Sequence, residues 1–346
     1  MSAITFGLFL NCGEIPGRRH DAVFERALEQ TELAERLGYH DVWVTEHHFI
    51  PFGLNPSALA MASFLLGRTR CLRVGTAVTL APLYHPVQLA EQAALLDQLS
   101  GGRFDFGIGR GGYLREFEVF GVELARWDRE VEETIDAVTR AWTQDEGPTG
   151  ASLNLCPRPL SQPHPPLYVG SATPGSVERA ARLGLPLLHY FGAPLAARIP
   201  VESRYRAAAE AAGRDPAAIA HVHSFVAHVC DDEKKARHRL RDSLVQLLRD
   251  GDHPTVPQAA NRHVGPDGKP VDRDGLAAFV AEHALVGSPA QLCGELARLI
   301  EEHGIRRFVL FMEPIGECDA LYESVERFAK EVAVHFASTD DTAKEA

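Results

Sequence analysis

The sequence predicts an α/β fold, and it favours a closed (β/α)8 barrel of the TIM type with insertions over an open, doubly wound sheet. About eight short apolar runs alternate with longer amphipathic stretches, a pattern typical of parallel strands joined by helices. The apolar runs lack regular polar alternation, as expected for strands that are buried on both faces. No clear glycine-rich dinucleotide turn follows the first run, which favours the barrel.

The predicted elements follow one another along the chain. We expect strands at residues 4–10, 41–45, 72–80, 104–108, 167–169, 186–191, 220–229 and 307–312. We expect helices at residues 22–37, 56–67, 86–99, 129–143, 174–183, 196–212, 233–248, 275–283, 289–303 and 319–336. Asn55-Pro56 opens the second helix, because the first helical position tolerates a residue without an N–H. Gly38 closes the first helix.

The length of the chain allows two ordinary domains or one large α/β barrel. The chain has 346 residues, 45% of them hydrophobic and 24% charged, and a single barrel with insertions commonly reaches this size. We expect the barrel to cover residues 1–337, with a mobile loop at 251–274 that is rich in glycine, proline and polar residues. Residues 338–346 are polar and are expected to fray.

The charge balance limits the partners. The formal net charge is −12, from 47 acidic and 35 basic residues, and such a field repels phosphate backbones and anionic lipid. We therefore expect neither nucleic acid nor membrane as a partner, and no segment approaches the roughly 20 apolar residues of a membrane span. The apolar run near the start has no basic segment before it, so we interpret it as a strand and not as a signal peptide.

The six cysteines are scattered without close pairs, at positions 12, 71, 156, 230, 293 and 318. This spacing fits neither a disulfide framework nor a zinc site. We expect buried, reduced cysteines, a cytoplasmic location and no bound metal.

An acidic residue and two histidines, Glu46, His47 and His48, follow the second predicted strand. In a barrel, function lies at the carboxyl ends of the strands. Neighbouring residues of an extended chain point to opposite sides, so one histidine should face the barrel mouth and the other should pack outward. A mouth histidine titrates near neutral pH and could act as a base, an acid or a hydrogen-bond donor. The alternative is a pair of loop histidines with ordinary hydrogen bonds.

Arg110 follows the fourth predicted strand within a glycine-rich turn. Glycines let the backbone approach a ligand, and a guanidinium can bind a phosphate with two parallel hydrogen bonds. The alternative is a surface arginine in an ordinary turn.

The segment GSATPGS at residues 170–176 links a strand to a helix. The free N–H groups and the positive end of the dipole at a helix start attract anions. The alternative is plain helix capping by Thr173 ahead of Pro174. With Arg110, this makes two phosphate-suited sites after different strands, and together they favour a phosphorylated cofactor.

Several motifs then occur in an order and spacing that resemble the bacterial luciferase-like flavin-dependent monooxygenases, in particular the luciferase α-subunit type. The motifs are EHHF at 46–49, GLNP at 53–56, LLG at 65–67, VGTA at 74–77, HP at 85–86, LLDQLSGGRF at 95–104, FGIGRG at 106–111, FEVFG at 117–121 and AARLGLP at 180–186. The resemblance is dense from residue 4 to about residue 192 and looser in the final third, where VGSP at 286–289 still fits.

The resemblance implies roles for individual residues. His47 matches the family's active-site histidine, an acid–base group near flavin and substrate, and Arg110 matches the arginine that holds the FMN phosphate. The other implied FMN contacts are Ala77 and Val78, at a non-proline cis peptide beneath the isoalloxazine ring, and Gly109, Ala172, Thr173, Gly175, Ser176 and Phe191. We also expect a substrate pocket that excludes water, lined by Phe6, Leu8, Leu10, Phe49, His85 and Tyr113.

The implied reaction uses reduced FMN and O2 through a C4a-(hydro)peroxyflavin to hydroxylate, epoxidise or Baeyer–Villiger oxidise an organic substrate. Because the sequence has no pyridine-nucleotide fingerprint, a separate flavin reductase is expected to supply the reduced FMN. Gly109 stands where luciferases carry a reactive cysteine, and 251–274 does not match the luciferase lid. We therefore expect a roomier pocket, which fits a bulky secondary metabolite, as in antibiotic biosynthesis. Both departures argue against light emission and a long-chain aldehyde substrate without deciding either.

The resemblance also implies a homodimer, formed through helices near the second and third strands. Two other functions remain open at this point: an F420-dependent hydride-transfer oxidoreductase of the same barrel type, and a non-catalytic flavin-binding protein. Preferential binding of F420 would favour the first, and a lack of substrate-dependent oxygen consumption would favour the second.

Overall fold

The computed structural model describes residues 3–15, 17–147, 150–248, 272–316 and 318–336. Its strands are β1 (Thr5–Leu10), β2 (Asp41–Val44), β3 (Arg73–Thr76), β4 (Thr79–Leu80), β5 (Phe104–Gly109), β6 (Leu167–Gly170), β7 (Leu188–His189), β8 (Val222–Val229), β9 (Leu285–Gly287) and β10 (Arg307–Phe311). Its α-helices are α1 (His20–Arg36), α2 (Ala58–Arg68), α3 (Pro86–Ser100), α4 (Leu114–Phe120), α5 (Ala125–Thr143), α6 (Pro174–Leu183), α7 (Leu195–Ala211), α8 (Glu233–Leu247), α9 (Arg273–Glu282), α10 (Pro289–His303) and α11 (Cys318–Arg327).

The paired strands are all parallel and form one ring. The order β5-β3-β2-β1-β10-β8-β7 runs around most of it, and β6 pairs with the other side of β5. A parallel bridge between Val169 and Leu187 joins β6 to the residue that precedes β7. The short strands β4 and β9 extend β5 and β8. The predicted TIM-type α/β barrel is therefore confirmed.

Charged side chains lie among the inward-facing residues near the amino ends of the strands. Arg307 lies 2.8 Å from an Asp41 oxygen and 2.5 Å from the Tyr168 hydroxyl, while Arg73 pairs with Asp105 at 2.6 Å. Burial alone would raise the pKa of Asp41, but His40 and Arg307 outweigh it and hold that pKa at about 2. This paired network fills one end of the barrel, so ligand access is expected at the other end.

Several predicted boundaries were wrong. The strand expected at 72–80 is divided into β3 and β4, and α4 and β9 were not predicted. Helix α2 begins at Ala58 and not at Pro56, because the Ser57 side chain accepts a hydrogen bond from the Ala60 N–H as its cap. The helix expected at 319–336 ends as an α-helix at Arg327 and continues as a wider π turn.

The prediction of buried cysteines holds only for Cys12. All six cysteines are free, but Cys230 and Cys293 are partly exposed, and Cys71, Cys156 and Cys318 are exposed. Most of the loop expected at 251–274, namely 251–271, and the tail at 338–346 lie outside the described residues. Within the described ranges, no helix combines the length and apolar character that crossing a membrane requires.

Candidate active site

The candidate residues lie after the carboxyl ends of neighbouring parallel strands. Such ends share one edge of a barrel, where active sites form. The segments concerned are Glu46–His48 after β2, Ala77-Val78 after β3, Arg110 after β5, 171–176 after β6 and Phe191 after β7.

Arg110 directly follows β5, and its buried guanidinium lies beside the start of α6. Its Nη2 atom lies 3.0 Å from the Thr173 hydroxyl and 2.8 Å from the Ser176 hydroxyl, and Nη1 donates to the Trp127 carbonyl at 2.6 Å. The guanidinium also lies over the Trp127 ring, at 5.3 Å from its centroid. The structure thus brings together three of the residues expected to bind phosphate.

Thr173 precedes α6, but its hydroxyl does not cap that helix. The hydroxyl oxygen lies 3.0 Å from both the Arg110 guanidinium and the Ser176 hydroxyl. The plain-capping interpretation is therefore wrong. Ala172 and Gly175 are exposed at the same helix start, so this end of α6 is open to a ligand.

The sequence analysis missed Glu132, which lies on α5 and contacts the same group of donors. Its carboxylate accepts hydrogen bonds from Arg110 Nη2 at 2.7 and 2.9 Å and from the Ser176 hydroxyl at 2.6 Å. No local motif singles out this residue, since α5 carries several acidic residues and only the packing of α5 selects one of them.

A valine side chain lies across the ends of β5 and β6. The Ala77–Val78 peptide bond is cis, as the resemblance implies. A Cβ built on Gly109 would lie 2.5 Å from Val78 Cγ2, and one built on Gly170 would lie 2.5 Å from Val78 Cγ1. The expectation that glycine at position 109 makes the pocket roomier is therefore wrong, because Val78 fills that space.

His47 is partly exposed and packs edge-on against two aromatic rings. Its ring centroid lies 5.1 Å from that of Phe52 and 6.0 Å from that of Tyr113. Burial, together with the smaller effect of the nearby His48 charge, lowers the pKa of His47 to about 4. The expectation of titration near neutral pH was wrong, and the imidazole is neutral at pH 7.

His48 occupies different surroundings, as the opposite directions of neighbouring side chains require. It is buried, its ring meets that of Phe120 at 4.9 Å, and its Nε2 lies 3.4 Å from Glu46 Oε1. Its backbone N–H donates to Glu116, a carboxyl group that the sequence analysis missed. Burial raises the pKa of Glu116 to about 7, so this group changes charge near neutral pH.

The apolar wall near the barrel mouth differs from the predicted one. Phe191 lies 5.6 Å from Phe9 and 4.8 Å from Phe311, between ring centroids. Leu8 and Leu10 instead belong to the cluster packed beneath the outer helices and are fully buried. The predicted placement of Leu8 and Leu10 was wrong, because inward and outward residues alternate along β1.

Phe6 lies with Leu8 in the outer cluster and stacks on Phe308 at 5.5 Å. Phe49 is 46% exposed and packs against Phe120 at 5.3 Å between ring centroids. His85 is exposed at the start of α3. Phe6, Phe49 and His85 thus lie at the surface or in the outer core. Of the residues predicted to line the substrate pocket, Tyr113 is the one that packs against His47.

Three potential metal ligands come together on the outer side of the barrel, where α7 packs on β7 and β8. Atoms of His189, Glu202 and His223 lie within 4.8 Å of one another, and Glu202 Oε1 is 3.1 Å from His189 Nε2. Arg198 lies 3.5 Å from His223 Nδ1, and this fixed cation opposes a bound metal cation. We interpret the cluster as a carboxylate-linked histidine pair that holds α7 in place.

The parallel barrel, with polar side chains gathered at the carboxyl ends of its strands, has the layout of an α/β-barrel enzyme. The chain belongs to the luciferase-like monooxygenase family, whose model matches residues 4–307. It is accordingly a flavin-dependent oxidoreductase.

Individual relatives agree with this assignment. The chain is 32% identical to the alkanal monooxygenase alpha chain of Photorhabdus laumondii over 69% of this chain and 68% of that protein. It is 28% identical to 4-hydroxyprotoasukamycin monooxygenase of Streptomyces nodosus over 99% and 94% of the two chains. The crystal structure of the monooxygenase RslO1 from Streptomyces bottropensis superposes with a TM-score of 0.81 at 26% identity, covering 96% of this chain and 100% of that one.

Proposed function

We propose that this protein is an FMN-dependent monooxygenase that receives reduced FMN from a separate reductase and inserts one atom of O2 into an organic substrate. One oxygen atom enters the substrate and the other leaves as water, with two electrons taken from the reduced flavin. The observation that carries the proposal is the convergence of Arg110, Thr173 and Ser176 at the start of α6.

The residues present fit a flavin phosphate. A phosphate monoester needs several donors and one or more positive charges, and this site offers a guanidinium, two hydroxyls and a helix start. The site already holds an anion, because the Glu132 carboxylate binds to Arg110 and Ser176. This contact supports the assignment of the site to an anionic group.

We assign contacts with the flavin ring to Ala77, Val78, Gly109 and Phe191. Reduced flavin, when bound, supplies the electrons that activate O2. Apolar rings at Phe9, Phe191 and Phe311 would exclude water from this end of the barrel. His47 would hold or move a proton as a neutral imidazole at its ring nitrogens, beside Tyr113.

The substrate class is supported by similarity alone. A relative that aligns with 99% of this chain is named for its action on 4-hydroxyprotoasukamycin. We propose a bulky secondary metabolite as the substrate, in antibiotic biosynthesis. The reactions to be tested are hydroxylation, epoxidation and Baeyer–Villiger oxidation.

Substitution of Arg110 tests the phosphate site. Arg110→Gln should weaken FMN binding about 10- to 100-fold, the value of a charge-assisted contact of roughly 1.5–3 kcal/mol, and should leave riboflavin binding within about twofold, because riboflavin has no phosphate. Both affinities can be measured by fluorescence titration. Arg129→Gln is the matched control, because Arg129 lies on α5 with 75% of its side chain exposed.

The proposal is wrong if the folded wild-type protein has no affinity for oxidised or reduced FMN, or if Arg110→Gln binds FMN as the wild type does. Preferential binding of F420 would instead identify a hydride-transfer enzyme. Wild-type protein with reduced FMN should consume O2 in response to one or more members of a panel of polycyclic aromatic compounds.

A further inference from the structure

The carboxylate of Glu132 occupies the place that the proposed function gives to the phosphate of FMN. Glu132 Oε1 lies 2.7 Å from Arg110 Nη2 and 2.6 Å from the Ser176 hydroxyl. A Cβ built on Gly175, in the first turn of α6, would lie 3.0 Å from the same oxygen. The carboxylate therefore accepts hydrogen bonds from the guanidinium and from one of the two hydroxyls of the anion site, and it lies beside the first turn of α6.

Arg110 and Glu132 differ in how firmly they are held. The Arg110 side chain is 4% exposed, and its Nη1 is anchored on the Trp127 carbonyl at 2.6 Å. The Glu132 side chain is 25% exposed and projects from the surface of α5. The Glu132 side chain therefore has access to solvent, whereas the guanidinium is enclosed and anchored.

Two anions cannot share this guanidinium without mutual repulsion. A phosphate bound to Arg110 Nη2 and Ser176 would lie within hydrogen-bonding distance of the present Glu132 carboxylate, where like charges in a partly buried site repel strongly. The phosphate must therefore displace the carboxylate. In the absence of a ligand, the carboxylate supplies a negative charge directly beside the buried guanidinium.

We propose that Glu132 is a resident counter-ion that competes with the cofactor phosphate for Arg110, and that it thereby sets the affinity of the site for phosphorylated flavin. This inference rests on the proposed function. Competition of this kind suits a cofactor that arrives from a reductase and leaves again, since the returning carboxylate would favour release of the flavin.

The test compares FMN and riboflavin in fluorescence titrations of the wild type and of Glu132→Gln. The amide keeps the size of the side chain and can still bond to Ser176, but it lacks the negative charge. Glu132→Gln should bind FMN at least about tenfold more tightly than the wild type, as expected for removal of one like charge at close range. Its affinity for riboflavin should remain within about twofold.

Glu133→Gln is the matched control, because Glu133 is the next residue on α5, is 61% exposed and pairs with Arg129 at 4.0 Å. It should bind both flavins as the wild type does. Since Glu132→Gln removes one negative charge beside the buried Arg110, thermal unfolding is measured as well. FMN should raise the midpoint of unfolding more in Glu132→Gln than in the wild type.

The outcomes separate the two proposals. If the wild type binds FMN but folded Glu132→Gln binds it equally or less tightly, the competition is refuted and the proposed function stands. If riboflavin affinity rises as much as FMN affinity, the effect does not involve the phosphate and the competition is again refuted. If neither the wild type nor the variants bind FMN, the proposed function itself fails, and the Arg110–Glu132 pair is a structural ion pair.

Discussion

His47 is the residue on which the proposed chemistry depends most. Its pKa is lowered to about 4, so the ring is neutral throughout the range from pH 6 to pH 8. Replacement of His47 by alanine should slow turnover about 100-fold or more if the ring transfers a proton. The loss should be the same at pH 6 and pH 8, because the folded protein holds the ring deprotonated at both values. Turnover is measured as substrate-dependent O2 consumption with reduced FMN.

The control for this substitution is His303→Ala, at the carboxyl end of α10 and near the amino end of β10, away from the strand ends that carry the site. Full turnover in His47→Ala would remove the proposed role. A loss that grows between pH 8 and pH 6, and that still does so when Glu116 is replaced by glutamine, would show that the ring titrates in that range, contrary to the lowered pKa. FMN affinity should change little, because His47 is not among the residues assigned to the phosphate.

At the residue scale, the sequence predicts which strand ends carry polar groups but not how side chains from separate elements pair. The approach of Arg110 to Thr173 and Ser176 follows from placing both segments at one barrel edge. The contact with Glu132 depends on how α5 packs, which no local pattern indicates. Leu8 was assigned to the wrong face because both faces of a barrel strand are apolar, so hydrophobicity does not distinguish them.

At the scale of elements, the ends of β5 and β6 depend on two glycines that accommodate Val78. A Cβ at position 109 would lie 2.5 Å from Val78 Cγ2 and 3.1 Å from the Gly170 carbonyl oxygen. Gly109→Ala should therefore lower the free energy of unfolding by roughly 1–3 kcal/mol, as for overpacking of a core. The opposing atoms belong to a β-branched side chain and to backbone, neither of which yields easily. Denaturant unfolding measures the change.

Gly67→Ala is the matched control, because Gly67 lies within α2 and a Cβ there meets no atom within 4 Å. It should raise the free energy of unfolding by up to roughly 1 kcal/mol through the higher helix propensity of alanine. An unchanged stability in Gly109→Ala would mean that Val78 moves aside without cost, and that position 109 has the free space that the sequence suggested.

Long periodic elements were predictable, and short ones were not. Helices such as α3 and α10 agree with the expected ranges to within a residue, because each combines an apolar face with a proline start and a glycine end. The three-residue strand β9 and the two-residue strand β4 are too short for any period to be recognised. The division between β3 and β4 coincides with the cis Ala77–Val78 peptide, which the resemblance alone indicated.

At the scale of the whole molecule, the strands form a closed ring that is surrounded by helices. The outer helices are therefore the surface that another subunit can contact. Helices α2 and α3 pack side by side and expose large apolar side chains to solvent: Phe64 is 55% exposed, Leu95 45% and Leu99 71%. Exposed apolar side chains grouped on the outside of a barrel are a candidate protein contact. The expected homodimer, formed through helices near the second and third strands, would bury these side chains.

Leu99→Asp should convert the proposed dimer into a monomer, because burying an unpaired carboxylate in an apolar contact is strongly unfavourable. Light scattering coupled to size exclusion should give twice the chain mass of 37.9 kDa for the wild type and the single chain mass for the variant. Val334→Asp is the control, since Val334 is also exposed, at 56%, but lies beyond α11 and away from α2 and α3. A dimer that persists in Leu99→Asp and dissociates in Val334→Asp would show that the contact lies elsewhere. A monomeric wild type would show that the expected dimer does not form.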